Sequence, residues 1–546
     1  MTRSIPHILR FLLGHLKGHR LQATLNTLVG SCIVAADLGF VWATKLAVDI
    51  ATGHRTSPGL GWAFCIIAAM MATRIFFVVA SRWIQALLGV KAQNNMRKYI
   101  FGHLLQCSWS DLRSYHTGNL TNRLERDVTD VVNFSTETVP SFITTTLQFV
   151  GAFLFLFLMD STLALIIVCI IPFFVITGKL YVKRMRELSR QTRDHESRIQ
   201  AILQETLQHA LVVKTLQRTD YFTHILHNRQ EQLHRCVLTR TRYATLSATL
   251  LNLGFATGYF VTFAWGATSL AAGQISYGAM LAFVQLVGQI QGPVRNLTKF
   301  IPIFISSFTA AERLMELEAL QNEKEEPIPQ PLHDPLGIEL HHVSFSYTPA
   351  SRTIIQQLSY SFPPGTTTAI VGETGAGKTT LIRLLLALVY PTEGHICITD
   401  SSGQSIPISA ASRRLFSYVP QGNTLFSGTV RSNLQQAKPD ATEEEMFYAL
   451  HTAAADFVNS KPLGLDTPCG EAGGGLSEGQ AQRIAIARAL LAGGRILILD
   501  EATSALDPAT EQRVLQQIAG SYPHHTTIII THRPEALKYA DQCLRL

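Results

Sequence analysis

The residues Gly372-Glu373-Thr374-Gly375-Ala376-Gly377-Lys378-Thr379 place three glycines ahead of a cation and a hydroxyl. A β-type run, Thr366–Val371, precedes them and a helical run follows. This is the spacing GxxxxGK[ST] in the strand–loop–helix context that gives it meaning. The glycines let backbone N–H groups converge on phosphate oxygens, and the following helix N-terminus adds a favourable dipole. Lys378 would neutralise the β- and γ-phosphates and the Thr379 hydroxyl would ligate magnesium. A second candidate group ends a buried-strand run, Arg495-Ile496-Leu497-Ile498-Leu499, in two acids, Asp500 and Glu501. Beside a phosphate loop, the first carboxylate can hold Mg²⁺ and the second can polarise the attacking water.

These groups need a rigid frame. From Ile338 onward short β-type runs alternate with helical ones, the pattern of an α/β domain. Ahead of it, residues 321–337 are charged and hold Pro327, Pro329, Pro331 and Pro335, a linker composition. Hydropathy is high before about Glu312 and falls after it. The expected division is an interfacial segment at 1–20, a transmembrane domain at 21–312, a linker at 313–337 and an ATP-binding domain at 338–546.

The chain has 546 residues, 47% of them hydrophobic and 16% charged. That is too apolar for an ordinary soluble chain, where about a quarter of residues are charged. A membrane span needs about 20 mostly apolar residues. Six such stretches are expected, at about 22–48, 60–88, 138–159, 162–182, 245–271 and 277–300. Three short connections (49–59, 160–161, 272–276) are expected outside. Two long ones (89–137 and 183–244) read as helical throughout. The second is rich in Lys and Arg, which collect on the cytoplasmic side. Both termini are therefore expected in the cytoplasm, and the net charge of +7 needs no nucleic-acid partner. Residues 1–20 lack a cleavage signal, leave no room for an N-terminal peptidase, and carry an apolar stretch (Ile8, Leu9, Leu12, Leu13, Leu16) suited to an interfacial helix. Asp37 and Arg74 fall within spans, where a charge either meets a substrate or a partner. The two could pair. Pro172 and Pro293 could kink their spans. The eight cysteines never approach CxxC spacing and read as isolated thiols.

Together these residues resemble an ABC transporter, an exporter-type half-transporter of the multidrug and lipid exporter kind. The resemblance is most specific at Leu476-Ser477-Glu478-Gly479-Gln480 followed by Ala481-Gln482-Arg483, which is similar to the family's LSGGQ signature and its continuation. Glu478 stands where the family has Gly. Tyr347 resembles the aromatic that stacks on adenine, Gln421 the Q-loop glutamine that reaches Mg²⁺, Ser504-Ala505-Leu506-Asp507 the D-loop, and His532 the switch histidine. Gly470-Glu471 resembles an exporter element near the coupling helices. Tyr115–Leu120 with Arg123 and Asp127 resembles the first intracellular loop, and Lys214 sits in the counterpart of the second. The chain ends at Leu546, fourteen residues past His532, so contacts between ATPase domains near their ends are expected to be reduced.

The resemblance implies an α-helical six-span transmembrane domain followed by an α/β P-loop ABC ATPase domain with a helical signature subdomain. It implies ATP and Mg²⁺ as ligands, with Gly372–Thr380 cradling the phosphates, and Thr379, Gln421 and Asp500 on the metal. Glu501, His532 and Lys378 would be catalytic. Ser477, Gly479 and Gln480 would reach the nucleotide held by a second half-transporter, a homodimer being favoured because the motifs are intact. Export or flipping of a hydrophobic or amphipathic small molecule or lipid across the plasma (inner) membrane is the implied activity. An ABC-type channel or regulator, and a heterodimeric exporter of peptide or lipid-linked glycan, are the alternatives.

Overall fold

The computed structural model describes residues 5–14, 20–54, 59–179, 182–323, 332–348, 352–373, 375–470, 475–522 and 525–546, without the side chains at 5, 9, 13, 20, 22, 171–179, 182–183 and 298. The chain forms two compact units, Met1–Gly102 with Thr117–Ala319, and His103–His116 with Leu320–Leu546.

The first unit is helical: α1 (Ile5–Gly14), α2 (Arg20–Ala51), α3 (Leu60–Gln106), then, after α4 (Trp109–Arg113) of the second unit, α5 (Thr117–Asn122) and α6 (Val128–Asn133), which π-helical turns join into one rod with α7 (Val139–Met159). α8 (Ser161–Lys179), α9 (Val182–Gln208), α10 (Ala210–Thr215), α11 (Thr219–Ala271) and α12 (Tyr277–Glu318) complete it. Among the described residues, the six apolar stretches read from the sequence fall mainly on α2, α3, α7, α8, α11 and α12. α1 buries Ile8 and Leu12; Leu16 and the Leu9 and Leu13 side chains lie outside the described residues.

By length and composition, four helical stretches among the described residues qualify as spans: Ala23–Ala51, Leu60–Gln106, Thr117–Met159 and Thr219–Ala271, with a shorter apolar stretch at Ser161–Ile170. α12 falls short because Gln285, Gln289, Gln291 and Arg295 dilute it. Its other face is nonetheless fully packed: Ala282, Phe283, Leu286, Val287 and Ile290 bury against Val41 of α2, Leu156 of α7 and Ile167 of α8. α8 and α12 continue as helices past Pro172 and Pro293.

The long connections are helical but broken. After α3, Ser108 leaves helical geometry and its hydroxyl caps α4 by accepting from the Asp111 N–H at 3.3 Å. Between α9 and α11, the chain breaks at His209 and again around Gln217, which takes φ +53°. Polar contacts then fix the bundle. Asp37 and Arg74 pair at 2.6 Å. The Asp160 carboxylate accepts from the Leu163 N–H at 2.9 Å and from the Trp265 indole at 2.8 Å, closing the α7–α8 hairpin. Buried Asp127 takes both guanidinium arms of Arg313, at 2.7 and 2.5 Å, while Arg123 pairs with Glu316 at 3.0 Å.

The second unit runs β1 (Leu336–Phe345), β2 (Ile355–Phe362), β3 (Thr367–Val371), α13 (Lys378–Leu385), β4 (Glu393–Asp400), β5 (Ser405–Pro407), β6 (Phe416–Val419), β7 (Gly428–Thr429), α14 (Val430–Gln435), α15 (Glu443–Thr452), β8 (Pro468–Cys469), α16 (Glu478–Leu491), β9 (Ile496–Asp500), α17 (Pro508–Ser521), β10 (Thr526–Ile530), α18 (Pro534–Leu537) and β11 (Gln542–Arg545). An antiparallel sheet in the order β2-β1-β4-β5 packs on a parallel sheet in the order β11-β3-β10-β9-β6. Every residue of β9 and β10 is buried, as a parallel strand covered on both faces requires. Leu381, Leu384 and Leu385 of α13 fill the space between the sheets. On the other face of the parallel sheet a second core joins Leu497 and Leu499 of β9 to Met446 and Leu450 of α15 and Ile484, Ile486 and Leu490 of α16. Gly470 is described and Glu471 lies outside the described residues.

Candidate nucleotide-binding site

Because β3, β10, β9 and β6 are parallel neighbours, their C-terminal ends lie along one edge. Open parallel sheets bind ligands at that edge. Four candidate groups arrive there: the glycine loop after Val371, His532 two residues past Ile530, Asp500 and Glu501 at the end of β9, and Gln421 two residues past Val419.

The loop turns as its glycines allow. Gly375 takes φ +89° and Gly377 φ +102°, conformations that side-chain-bearing residues rarely adopt. Gly377 is the N-cap of α13, so the helix begins at Lys378 with its free N–H groups facing the loop. The Lys378 ammonium is buried and folds back to donate to the carbonyls of Gly372, at 2.6 Å, and Glu373, at 3.0 Å. Ala376 donates its N–H to the Glu373 carbonyl at 3.1 Å. Thr379 is exposed and Thr380 is buried. Thr374 lies outside the described residues.

Two carboxylates differ sharply in setting. Asp500 is 4% exposed, and burial pushes its carboxyl above the usual range against a hydrogen bond from the Tyr418 hydroxyl at 3.2 Å. Glu501 takes φ +49°, a left-handed conformation that costs about 1 kcal/mol or more for a residue with a side chain. Its N–H donates to the Ile530 carbonyl at 3.1 Å, which ties the turn to β10. One carboxylate oxygen accepts from the Gln421 amide at 2.6 Å, and the other lies 3.5 Å from His532 Nε2. The hydroxyl of Thr379, the carboxylate of Asp500 and the carboxamide oxygen of Gln421 are hard oxygen donors, the set that suits Mg²⁺.

Ser477, Gly479 and Gln480 are assembled elsewhere. Ser477 caps α16, its hydroxyl accepting from the Gln480 N–H at 3.2 Å while the Gln480 carboxamide accepts from the Ser477 N–H at 3.1 Å. Glu478 opens the helix, where an acid meets the positive end of the dipole. A Cβ on Gly479 would stand 2.9 Å from the Ala505 carbonyl, so this position must be glycine. Among the described residues none of the three shares a hydrogen bond with the phosphate loop.

The chain matches the family model for the ABC transporter transmembrane region over residues 25–294 and the ABC transporter model over residues 355–504. It is 31% identical over 483 residues to an ATP-dependent lipid A-core flippase of Desulfotalea psychrophila, covering 87% of this chain and 83% of that one. This chain belongs to the ABC transporter family. It is also 30% identical to a fatty acid ABC transporter ATP-binding/permease protein of Mycobacterium bovis, over 91% of this chain and 80% of that one. A bacterial Atm1-family ABC exporter solved with ATP bound superposes at a TM-score of 0.79 and 25% identity, covering 97% of this chain and 94% of that one. The transporter is therefore a multi-pass membrane protein that couples ATP hydrolysis to export.

Several further groups support the transporter's site. Arg383 of α13 donates to the Tyr347 hydroxyl at 2.5 Å and lays its guanidinium 4.8 Å from the centre of the Trp109 ring on α4. The Tyr347 hydroxyl also lies 3.3 Å from that of Thr380. Burial raises the Tyr347 phenol, but these two hydrogen bonds and the Arg383 charge outweigh it, and its pKa falls below that of free tyrosine. Gln482 is buried and grips the loop after Glu501, accepting from the Ala505 N–H at 3.1 Å and donating to the Ser504 hydroxyl at 3.2 Å. Arg533, next to His532, donates to the carbonyls of Ser504, at 2.6 Å, and Leu506, at 2.7 Å. Gln482 stands in the signature continuation read from the sequence, and Arg533 follows His532. Arg383 and Trp109 carry no such signal.

Proposed function

We propose that this half-transporter binds MgATP at the edge of its parallel sheet and uses closure of two copies to export a lipid-like amphiphile. Tyr347 would carry the adenine, Gly372–Thr380 the phosphates, and Thr379, Gln421 and Asp500 the metal, which when bound neutralises charge on the phosphate oxygens. Glu501 would orient and deprotonate the attacking water while His532 steadies the γ-phosphate and Lys378 its charge. Ser477, Gly479 and Gln480 would reach the nucleotide of the second copy, since they lie on a surface organised apart from their own phosphate loop. ATP can drive the cycle only by binding the closed dimer more tightly than the open one.

The reading extends to six spans across the inner membrane with both termini cytoplasmic, the division 1–20, 21–312, 313–337 and 338–546 being functional as well as compositional. Lipid-like cargo is supported by relatives described as moving lipid A-core and fatty acid, and by an apolar bundle with few charges inside it.

The observation that carries the proposal is the arrival of Lys378, Asp500, Glu501, Gln421 and His532 at one sheet edge, with Glu501 bonded to Gln421. The test is reconstitution in vesicles. ATP-dependent movement of a fluorescent lipid between leaflets, abolished by Glu501→Gln, is the expected result. Engineered cysteines at Ser477 and in the phosphate loop should cross-link between two copies when ATP is present. A purified protein that remains monomeric with ATP and forms no such cross-link would refute it.

A further inference from the structure

A cavity of about 150 Å³ opens inside the membrane unit between α2, α3 and α7. Eight of its twelve lining residues are polar, in segments otherwise dominated by Leu, Ile, Phe and Ala. Polar groups at membrane depth are costly unless they are satisfied or functional.

One wall is satisfied. Asn26 is buried, donates to the Thr136 carbonyl at 3.3 Å and accepts from the Ser81 hydroxyl at 2.9 Å. Gln85 donates to the same Ser81 oxygen at 3.2 Å. The opposite wall differs. Ser141, Thr145 and Gln148 recur at i, i+4 and i+7 on one face of α7. Among the described residues, none of these three side chains has a protein hydrogen-bond partner. A rigid hydrogen-bonded wall thus faces a row of two hydroxyls and a carboxamide.

The charge balance narrows what could fill the space. Among the described residues, no Lys or Arg lines the cavity and Asp37 is the one charged lining residue, held by Arg74 at 2.6 Å. A phosphate would find no cation, and an ammonium would have to compete for a carboxylate already paired. Hydroxyls and carboxamides both donate and accept, and so complement a ligand that does the same.

We propose that this cavity binds a neutral polyhydroxyl group, the sugar or glycerol headgroup of an amphipathic cargo. The proposal rests on the lipid-export reading for its source of ligand. It departs from any cargo recognised through its phosphates.

The test uses the full-length protein in phosphatidylcholine vesicles and in detergent. A monoglucosyl diacylglycerol is added in one arm, phosphatidic acid in a second and free glucose in a third. ATP hydrolysis should rise saturably with the glucolipid. Gln148→Leu, and separately the pair Ser141→Ala with Thr145→Val, should raise the half-saturating amount about tenfold, the loss of one or two hydrogen bonds. Thermal unfolding checks that each variant folds. Retention of the glucolipid by the purified protein, read by native mass spectrometry, should fall in the same variants, and it reports on the cavity even where ATP hydrolysis is uncoupled or absent. Glucose acting alone and losing its effect in these variants supports the site with a soluble ligand. Wild type and variants retaining glucolipid equally, or phosphatidic acid as the saturable ligand, overturns the proposal. Absence of ATP hydrolysis in every arm, with retention intact, counts against the export reading and not against the cavity.

Discussion

Gln421 and Glu501 are bonded to each other, the amide donating to the carboxylate at 2.6 Å. Gln421 follows β6 and Glu501 follows β9, strands that are paired in parallel. Held this way, the proposed metal ligand and the proposed base would move together, so a shift in the Gln421 loop would reach the carboxylate directly. Replacing the carboxylate by an amide keeps the size and removes the basicity. Glu501→Gln should lower phosphate release by about 10²–10⁴-fold, the usual worth of a general base. ATP affinity should stay within about threefold, since the phosphate contacts are elsewhere. Near-normal turnover would remove Glu501 from the role.

Arg383 bonds to Tyr347, the proposed adenine platform, and would act on nucleotide binding through that ring. Its loss removes a charge-assisted hydrogen bond at 2.5 Å from the Tyr347 hydroxyl and frees the ring to tilt. Such a bond is worth about 1.5–3 kcal/mol. Arg383→Ala should therefore raise the KM for ATP about tenfold with little change in kcat. Affinity for tripolyphosphate, which has no base to stack, should not change. An equal loss for both ligands would mean that Arg383 acts on the phosphate loop.

The parts of this site that were legible in the sequence are those that chain-local physics dictates. The phosphate loop is contiguous, and its glycines, Lys378 and Thr379 are needed in that order by the turn itself. Asp500 ends an unbroken apolar run and so had to end a buried strand. The contacts of Arg383 with Trp109 and Tyr347 join three distant segments, and no local pattern announces them. The left-handed φ of Glu501 goes with an N–H bond to Ile530 across the sheet, a long-range contact that no local pattern signals. The membrane helices were legible as apolar runs. The breaks at Ser108, His209 and Gln217 were not, because polar helical sequence surrounds them. The Asp37–Arg74 pair could be posed as a possibility from span position and decided only by packing.

Asp400 ends β4 and closes the turn into β5. Its carboxylate accepts from the Ser402 hydroxyl at 2.7 Å and from the N–H groups of Ser402, Gln404 and His333 at 2.8, 2.9 and 3.1 Å. The Ser402 hydroxyl and these backbone donors hold its pKa down to about 2. An aspartate in an unfolded chain titrates near about 3.9. A depressed folded value stabilises at pH above the unfolded one, and the stabilisation is lost as pH falls toward the folded one. Asp400→Asn should lower the melting temperature at pH 7, and the gap to wild type should narrow by pH 3. A gap that widens in acid would contradict the assignment.

Glu511 of α17 is 1% exposed and holds the loop Ser504–Leu506 at one remove. Its carboxylate accepts from the Thr503 hydroxyl at 2.6 Å and from Arg533 at 3.0 Å, and the same guanidinium donates to the carbonyls of Ser504 and Leu506. Removing the acid strands a buried hydroxyl and an arginine that is about a third exposed, so the cost falls below that of a fully buried pair. Glu511→Ala should cost roughly 2–3 kcal/mol of stability. Glu511→Gln keeps the volume and one acceptor and should recover part of it. Both variants loosen the loop that Arg533 and Gln482 pin from opposite sides. ATP hydrolysis should therefore fall with the melting temperature in the order wild type, Gln, Ala. Full activity in a destabilised Glu511→Ala protein would show that the loop's position does not depend on this carboxylate.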